Sequence, residues 1–249
     1  MSLFVTLYHR KCRVAIRHKK GYNETKKRKG SVRMVEKLFF ANPTGKDFHY
    51  LKYLPRDYNP AQKYPLIIFL HGYGECGPED GSDLDQLFHY FWFGRARDGE
   101  DFPCIMAAPQ IAKEHYWGSY MESLNKFLDC IIEENAVDTS RIYLTGLSMG
   151  GTGCWLWSLG SPERFAAVAP VCGTGVCWFG FMLKNTPVWA FHGDQDDIVP
   201  VDESVRMVSK VIAEGGNAKL TLLHGVGHDA WVHAYKGRTL LDWFLSHHL

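Results

Sequence analysis

The stretch Gly146-Leu147-Ser148-Met149-Gly150 sets one serine between glycines directly after an apolar run, "RIYLT". Glycine inside a strand or helix costs roughly 0.5–1 kcal/mol relative to alanine, so folding alone does not ask for this cluster. A sharp strand-to-helix turn does ask for it. The turn forces the serine into strained backbone geometry, and only glycine neighbours avoid a clash with it. Ser148 would then stand exposed as a nucleophile, with the Met149 amide at a helix N-terminus facing the place where an oxyanion forms. A serine hydroxyl is a poor nucleophile at neutral pH. It needs a general base, and the base needs a third group that fixes its tautomer and supports its positive charge. Two later stretches offer both: "HGDQDDIVP" carries Asp194, Asp196 and Asp197 after one apolar run, and "HGVGHDAW" carries His224 and His228 after the next. These residue types in this order point to acyl transfer through a serine ester.

Such groups are useful only if the chain brings them to one place. The run "YPLIIFLHGYGECG" is rich in Ile and Leu and closed by glycines, which suits a strand buried on both faces, the habit of parallel sheets. Similar runs recur at "PCIMAAPQ", "SRIYLTGLS", "FAAVAPVCG", "TPVWAFHGD" and "AKLTLLHGVGH", and "FHYLKYLPRDY" alternates as a strand before breaking at Pro55. Helix-like stretches lie between them at "ESLNKFLDCIIEENA", "GGTGCWLWSLGSPE" and "VDESVRMVSKVIAEGG", with "GRTLLDWFLSHHL" last. This alternation predicts an α/β fold, a doubly wound, mostly parallel sheet with helices on both faces. Ligands in such sheets bind beyond the carboxyl ends of the strands, where all three polar stretches would emerge.

The formal net charge of +1 conceals an asymmetry, because residues 1–33 hold eleven of the 28 Lys/Arg and only one acid, Glu24. This segment reads as a basic, disordered tail, with residues 34–249 as the catalytic domain. An alternative is an arm for RNA or an anionic membrane, which would make the protein a binding protein. "LFVTLY" is too short for a secretory signal and its basic residues follow it, and no window nears the ~18 apolar residues of a membrane span. The seven cysteines (Cys12, Cys76, Cys104, Cys130, Cys154, Cys172, Cys177) are scattered without a C-x-x-C pair, which suits reduced thiols. A cytoplasmic protein without a nucleic-acid partner is therefore expected.

The sequence resembles the α/β-hydrolase superfamily, in the branch of carboxylesterases, dienelactone-hydrolase-like enzymes and predicted peptidases. "YPLIIFLHGYGE", "RIYLTGLSMGGTG", "PERFAAVAPVCG", "HGDQDDIVP" and "GVGHDAW" carry the resemblance, over residues from about 48 to 245. It implies a triad of Ser148, Asp196 and His228 in the chain order of that family, with Asp194 and Asp197 as loop or capping carboxylates. It also implies a second oxyanion donor in the Tyr73 amide, paired with that of Met149, while His71 and Glu75 hold their loop in place. No cofactor or metal is implied. His224 and His233 read as ordinary imidazoles, since no further ligand cluster accompanies them to make a zinc site.

Only some fifteen residues, "VCGTGVCWFGFMLKN", separate two predicted strands where many lipases insert a lid, so no large lid is expected. The aromatic cluster "LFHYFWFG" (Leu87 to Gly94), Trp117 and Phe179 read equally as pocket or core. Trp178 and Trp231 are the substrate-binding candidates because each follows a strand-end loop. The leading function is a serine carboxylesterase for small or carbohydrate-linked acyl esters. A serine peptidase, or a thioesterase or lysophospholipase on the same fold, is the alternative.

Overall fold

The computed structural model describes residues 35–249. The basic segment 1–33 lies outside the described residues. Eight strands form one sheet: β1 (Val35–Phe40), β2 (Phe48–Tyr53), β3 (Tyr64–Leu70), β4 (Ile105–Gln110), β5 (Val137–Leu147), β6 (Ala167–Val171), β7 (Val188–Gly193) and β8 (Ala218–Leu223). Six helices accompany it: α1 (Trp92–Arg97), α2 (Met121–Glu134), α3 (Met149–Gly160), α4 (Asp202–Ala213), α5 (Trp231–Ala234) and α6 (Thr239–Leu245). The strand order is β1-β2-β4-β3-β5-β6-β7-β8. The pairings from β4 through β3 and β5 to β8 are parallel, while β1–β2 and β2–β4 are antiparallel.

The period-two geometry of strands sorts their side chains onto two faces. In β3, Ile67 and Phe69 join one core with Met106 and Ala108 of β4 and Tyr143 of β5. Leu66, Ile68 and Leu70 join the opposite core with Ile105, Ala107, Ile142 and Leu144. The first core is covered by α1 and α6, through Trp92, Phe93, Leu240, Leu241 and Phe244. The second is covered by α2, whose Leu124, Phe127, Leu128 and Ile131 recur at helical spacing, and by α3. Past β6, α4 seals that face with Met207, Val208 and Val211 against Val188 and Ala190 of β7. The doubly wound, mostly parallel sheet with helices on both faces is thus the fold.

Two elements carry no strong signal in the sequence. Strand β1 is an edge strand mostly open to water, so it lacks the apolar run that marks the central strands. Helix α1 has four buried residues among its six, too short a piece to display a helical period. The segment between β6 and β7 holds only a 3-10 turn, Cys177–Leu183, and no large lid.

Candidate active site

Ser148 is the residue between β5 and α3, with φ 53° and ψ −118°. A non-glycine residue there costs of order 1–3 kcal/mol, sustained only when the surroundings fix it. The flanking glycines show how they do so. A Cβ on Gly146 would sit 2.5 Å from the Leu70 carbonyl oxygen, and one on Gly150 would sit 2.0 Å from the same atom. The end of β3 therefore presses directly on both sides of the turn, and the Ser148 amide donates to the Val171 carbonyl of β6 at 2.9 Å.

The side chains expected to work together meet. Ser148 Oγ lies 2.8 Å from His228 Nε2, and His228 Nδ1 lies 2.8 Å from Asp196 Oδ2. Because Nδ1 faces a carboxylate, it carries the ring proton, leaving Nε2 to accept from the serine hydroxyl. The Asp196 carboxylate is fully shielded from solvent, whereas the His228 side chain keeps 18% of its exposure. Burial pushes the Asp196 carboxyl up, but hydrogen bonds from His228 and from the Val199 and Ile198 amides outweigh it and hold the group below its usual range. It is a carboxylate at neutral pH.

A second imidazole, with no signal in the sequence, stands beside Asp196. His192, buried at the end of β7, places Nε2 3.2 Å from Asp196 Oδ2 and 2.9 Å from the Val199 carbonyl, while its Nδ1 faces Ser204 Oγ at 2.7 Å. Since the Val199 carbonyl can only accept, His192 Nε2 is the protonated nitrogen and Ser204 donates to the other. The His192 N–H is thus spent on the Val199 carbonyl, and the same carboxylate oxygen that accepts from His228 lies 3.2 Å from it. His192 stands in the quoted "HGDQDDIVP", yet only folding reveals that the ring turns back toward the acid.

Asp194 and Asp197 lie elsewhere. Asp194 accepts from the Gly225 amide at 2.8 Å and pairs with the exposed His224 at 2.9 Å, tying two loops together. Asp197 is exposed, as is His233. Among the described residues, Cys172, Asp196 and His228 are the group whose potential metal-ligating atoms fall within 4.8 Å. Both His228 nitrogens are already engaged by the serine and the carboxylate, and burial pushes the Cys172 thiol up to about 12. A metal needs a thiolate and a free imidazole nitrogen, so this group suits proton transfer better than metal binding.

Met149 is the first residue of α3, and Tyr73 the first of a 3-10 turn, Tyr73–Glu75. Backbone amides at such positions have no partner within their own helix and are free to serve a ligand. The loop bearing Tyr73 is fastened from three sides. Glu75 accepts from the Gly72 amide at 2.9 Å, and Gln110 donates to the Glu75 carbonyl at 2.9 Å. His71 Nδ1 meets the Gly72 carbonyl at 2.6 Å, and His71 Nε2 accepts from the Ile111 amide at 3.0 Å.

Burial lowers the His71 imidazole to about 4, against the usual 6.5, with its bond to the Gly72 carbonyl opposing the change. The unfolded chain therefore holds a proton between these values that the folded chain refuses, so stability is complete above about pH 6.5 and falls as pH drops toward 4. The loss reaches about 3 kcal/mol. In denaturant titrations, the stability gap between wild type and His71→Asn should shrink by that amount from pH 7 to pH 4; a constant gap would contradict a neutral buried His71.

Beside Ser148 opens a cleft of about 350 Å³, walled by Tyr116, Trp117, Met149, Thr152, Leu156 and Val199. Neither Trp178 nor Trp231 is among its lining residues. Trp178 is 81% exposed on the turn after β6. Trp231 instead packs edge-on against the His228 ring at 5.4 Å. Phe88, Phe91, Trp92 and Phe93 of the aromatic cluster are buried in the core, and Trp117 serves both as core and as cleft wall. Phe179 is half-exposed, on the same turn as Trp178. Tyr116, whose ring stacks on that of Tyr73 at 6.1 Å, carries no signal of this role in the sequence, because nothing in a polar loop indicates which way it crosses the sheet edge.

A family model described as "Putative esterase" matches residues 41–229. The "Probable feruloyl esterase C" of Aspergillus terreus is 25% identical over 67% of this chain and 62% of its own length. Acetylxylan esterase A of Aspergillus ficuum is 23% identical over 80% of this chain and 66% of its own. Among solved structures, a thermostable esterase superposes with a TM-score of 0.75 and 29% identity, covering 87% of this chain and 64% of that one. The chain thus spans somewhat under two thirds of the length of each.

Proposed function

This chain belongs to the esterase family, in the α/β-hydrolase esterase branch, and from that premise we propose that it is a serine carboxylesterase working through Ser148, His228 and Asp196 on esters of small or carbohydrate-linked acyl groups. The observation that carries this reading is the unbroken relay of 2.8 Å contacts from Ser148 Oγ, which lines a cleft, through both nitrogens of His228 to Asp196.

The chemistry follows from the geometry. His228 Nε2 takes the Ser148 proton as Oγ attacks the ester carbonyl, and Asp196 supports the imidazolium that results. The Met149 and Tyr73 amides receive the oxyanion, an interaction stronger in the transition state than in the ground state. His228 then returns the proton to the leaving alcohol. Water, deprotonated by the same nitrogen, releases the acid from the acyl-serine. The partner of this chain is accordingly a small-molecule ester. The relative named for acetylxylan supports a carbohydrate-linked substrate.

The volume of the cleft bears on the acyl group. About 350 Å³ lies at the low end of the ~300–1,000 Å³ of ordinary small-molecule sites, and no large lid extends it. Among p-nitrophenyl esters from acetate to laurate, kcat/KM should peak at the short chains and fall by about tenfold or more at laurate, about 1.4 kcal/mol of lost fit. Release strongest with laurate would favour a thioesterase or lysophospholipase, and turnover of aminoacyl amides above esters would favour a peptidase.

A further inference from the structure

The loop that carries Asp196 has little packing of its own. Gln195, Asp197, Ile198 and Pro200 are exposed, so hydrogen bonds rather than buried side chains must hold it. Its first half is tied to the segment after β8: the Asp194 amide donates to the Leu223 carbonyl at 3.1 Å and the Gln195 amide to the Val226 carbonyl at 3.0 Å. Its second half folds back onto the acid, with the Ile198 and Val199 amides donating to Asp196 Oδ1 at 3.0 and 2.9 Å. Pro200 comes next and has no N–H to anchor it. From outside the loop, His192 at the end of β7 holds the Val199 carbonyl at 2.9 Å.

His192 can do this in one tautomer only. The other would turn a bare Nε2 toward the Val199 carbonyl and toward Asp196 Oδ2, 3.2 Å away, three acceptors together in a buried pocket. Ser204 removes that alternative. It stands in the first turn of α4, and its hydroxyl donates to His192 Nδ1 at 2.7 Å. Both side chains are shut away from solvent, so neither can touch a substrate. The contacts around Asp196 Oδ2 thus run in mirror order: outward to His228 and Ser148, inward to His192 and Ser204. The outer serine faces the cleft, and the inner one sets a tautomer.

We propose that His192 is a positioning residue for the hydrolysis, with Ser204 as the group that orients it. By holding Val199, His192 aims the Ile198 and Val199 amides at Asp196 Oδ1, which leaves Oδ2 turned toward His228 Nδ1. The proposal rests on the triad proposed above and deepens it, since His192 acts on the reaction through Asp196 alone. Two residues that work through one group are not additive: once the acid has lost its function, the residue that positions it has nothing left to contribute.

The test is a double-mutant cycle on p-nitrophenyl acetate hydrolysis. His192→Leu should lower kcat by about 10–100-fold, the cost of a reacting group misplaced by a fraction of an ångström to an ångström. The same substitution added to Asp196→Asn should cost less than about threefold, the margin within which an uncoupled change is silent. His192→Gln, whose amide N–H reaches the place of Nε2, should keep the Val199 contact and retain most of kcat. An undiminished kcat in His192→Leu, a loss repeated in full beside Asp196→Asn, or a His192→Gln protein no better than His192→Leu would overturn the positioning role. Should His192→Leu fail to fold, Ser204→Ala decides in its place: a fall that vanishes beside Asp196→Asn supports the role, and an equal fall in both backgrounds, or none, overturns it. An Asp196→Asn protein with wild-type turnover strikes the triad itself, and the positioning role goes with it.

Discussion

A Ser148→Ala protein should turn over p-nitrophenyl acetate about 10⁶-fold more slowly than wild type, the scale on which removal of a serine nucleophile acts in triad hydrolases. Alanine keeps the Cβ and the φ 53° backbone that the neighbouring glycines already accommodate. The hydroxyl makes one side-chain hydrogen bond, to His228. Its loss therefore leaves the fold intact, and the melting temperature should move by no more than a degree or two. Whatever rate survives comes from the amide donors and binding, which alone supply about 10³–10⁴ over water in such sites. Progress curves and a thermal melt on the same preparation decide the matter. A kcat within tenfold of wild type would remove Ser148 from the mechanism.

Asp196→Asn should lower kcat by about 10⁴-fold, although it changes one oxygen to nitrogen. With the amide NH2 toward His228, the ring must accept at Nδ1. The proton then moves to Nε2, where it blocks transfer from Ser148. That orientation also sets the amide NH2 about where the carboxylate oxygen now lies 3.2 Å from the protonated His192 Nε2. With the amide reversed, its NH2 confronts the Ile198 and Val199 amides, both donors. Either arrangement sets N–H against N–H in a buried pocket, so a stability loss of about 1–3 kcal/mol should accompany the catalytic defect. Equilibrium unfolding and kcat measured together check both effects. A variant with wild-type turnover would assign the acid's role elsewhere.

The parts of this site that chemistry dictates were legible in the sequence. A strained serine must have glycine on either side, and its base and acid must follow strands, so residue types and order point to Ser148 and to the two stretches that carry Asp194, Asp196, Asp197, His224 and His228, while the choice of Asp196 and His228 among them comes from the family resemblance. The central strands were equally legible, because burial on both faces leaves an unbroken apolar run. Walls are a different matter. Trp178 and Trp231 each follow a strand-end loop, yet one turns outward and the other lies against His228, while Tyr116, in a loop of no distinctive composition, lines the cleft. The path of a loop over the sheet edge is set by contacts made elsewhere in the fold, such as Gly77 against residues 111 and 113, and these leave no periodic trace. His192 was hidden for a related reason: a buried histidine and a solvated one look alike until the ring has partners.

The strand order has a kinetic side. Strand β3 lies between β4 and β5, which are separated from it by long stretches of chain, and β6, β7 and β8 must then dock in turn. Each parallel pairing closes a large loop before any contact repays the lost entropy, which makes such sheets slow to assemble. The proposed reacting groups are distributed over this sequence of events: Ser148 follows β5, Asp196 follows β7 and His228 follows β8. On the proposed triad, a chain that has collapsed and formed its helices still lacks Asp196 and His228 beside Ser148 until the last strand is in place. In a refolding experiment, hydrolysis is thus the final signal to return, and its lag behind recovered helicity times the closing of the sheet.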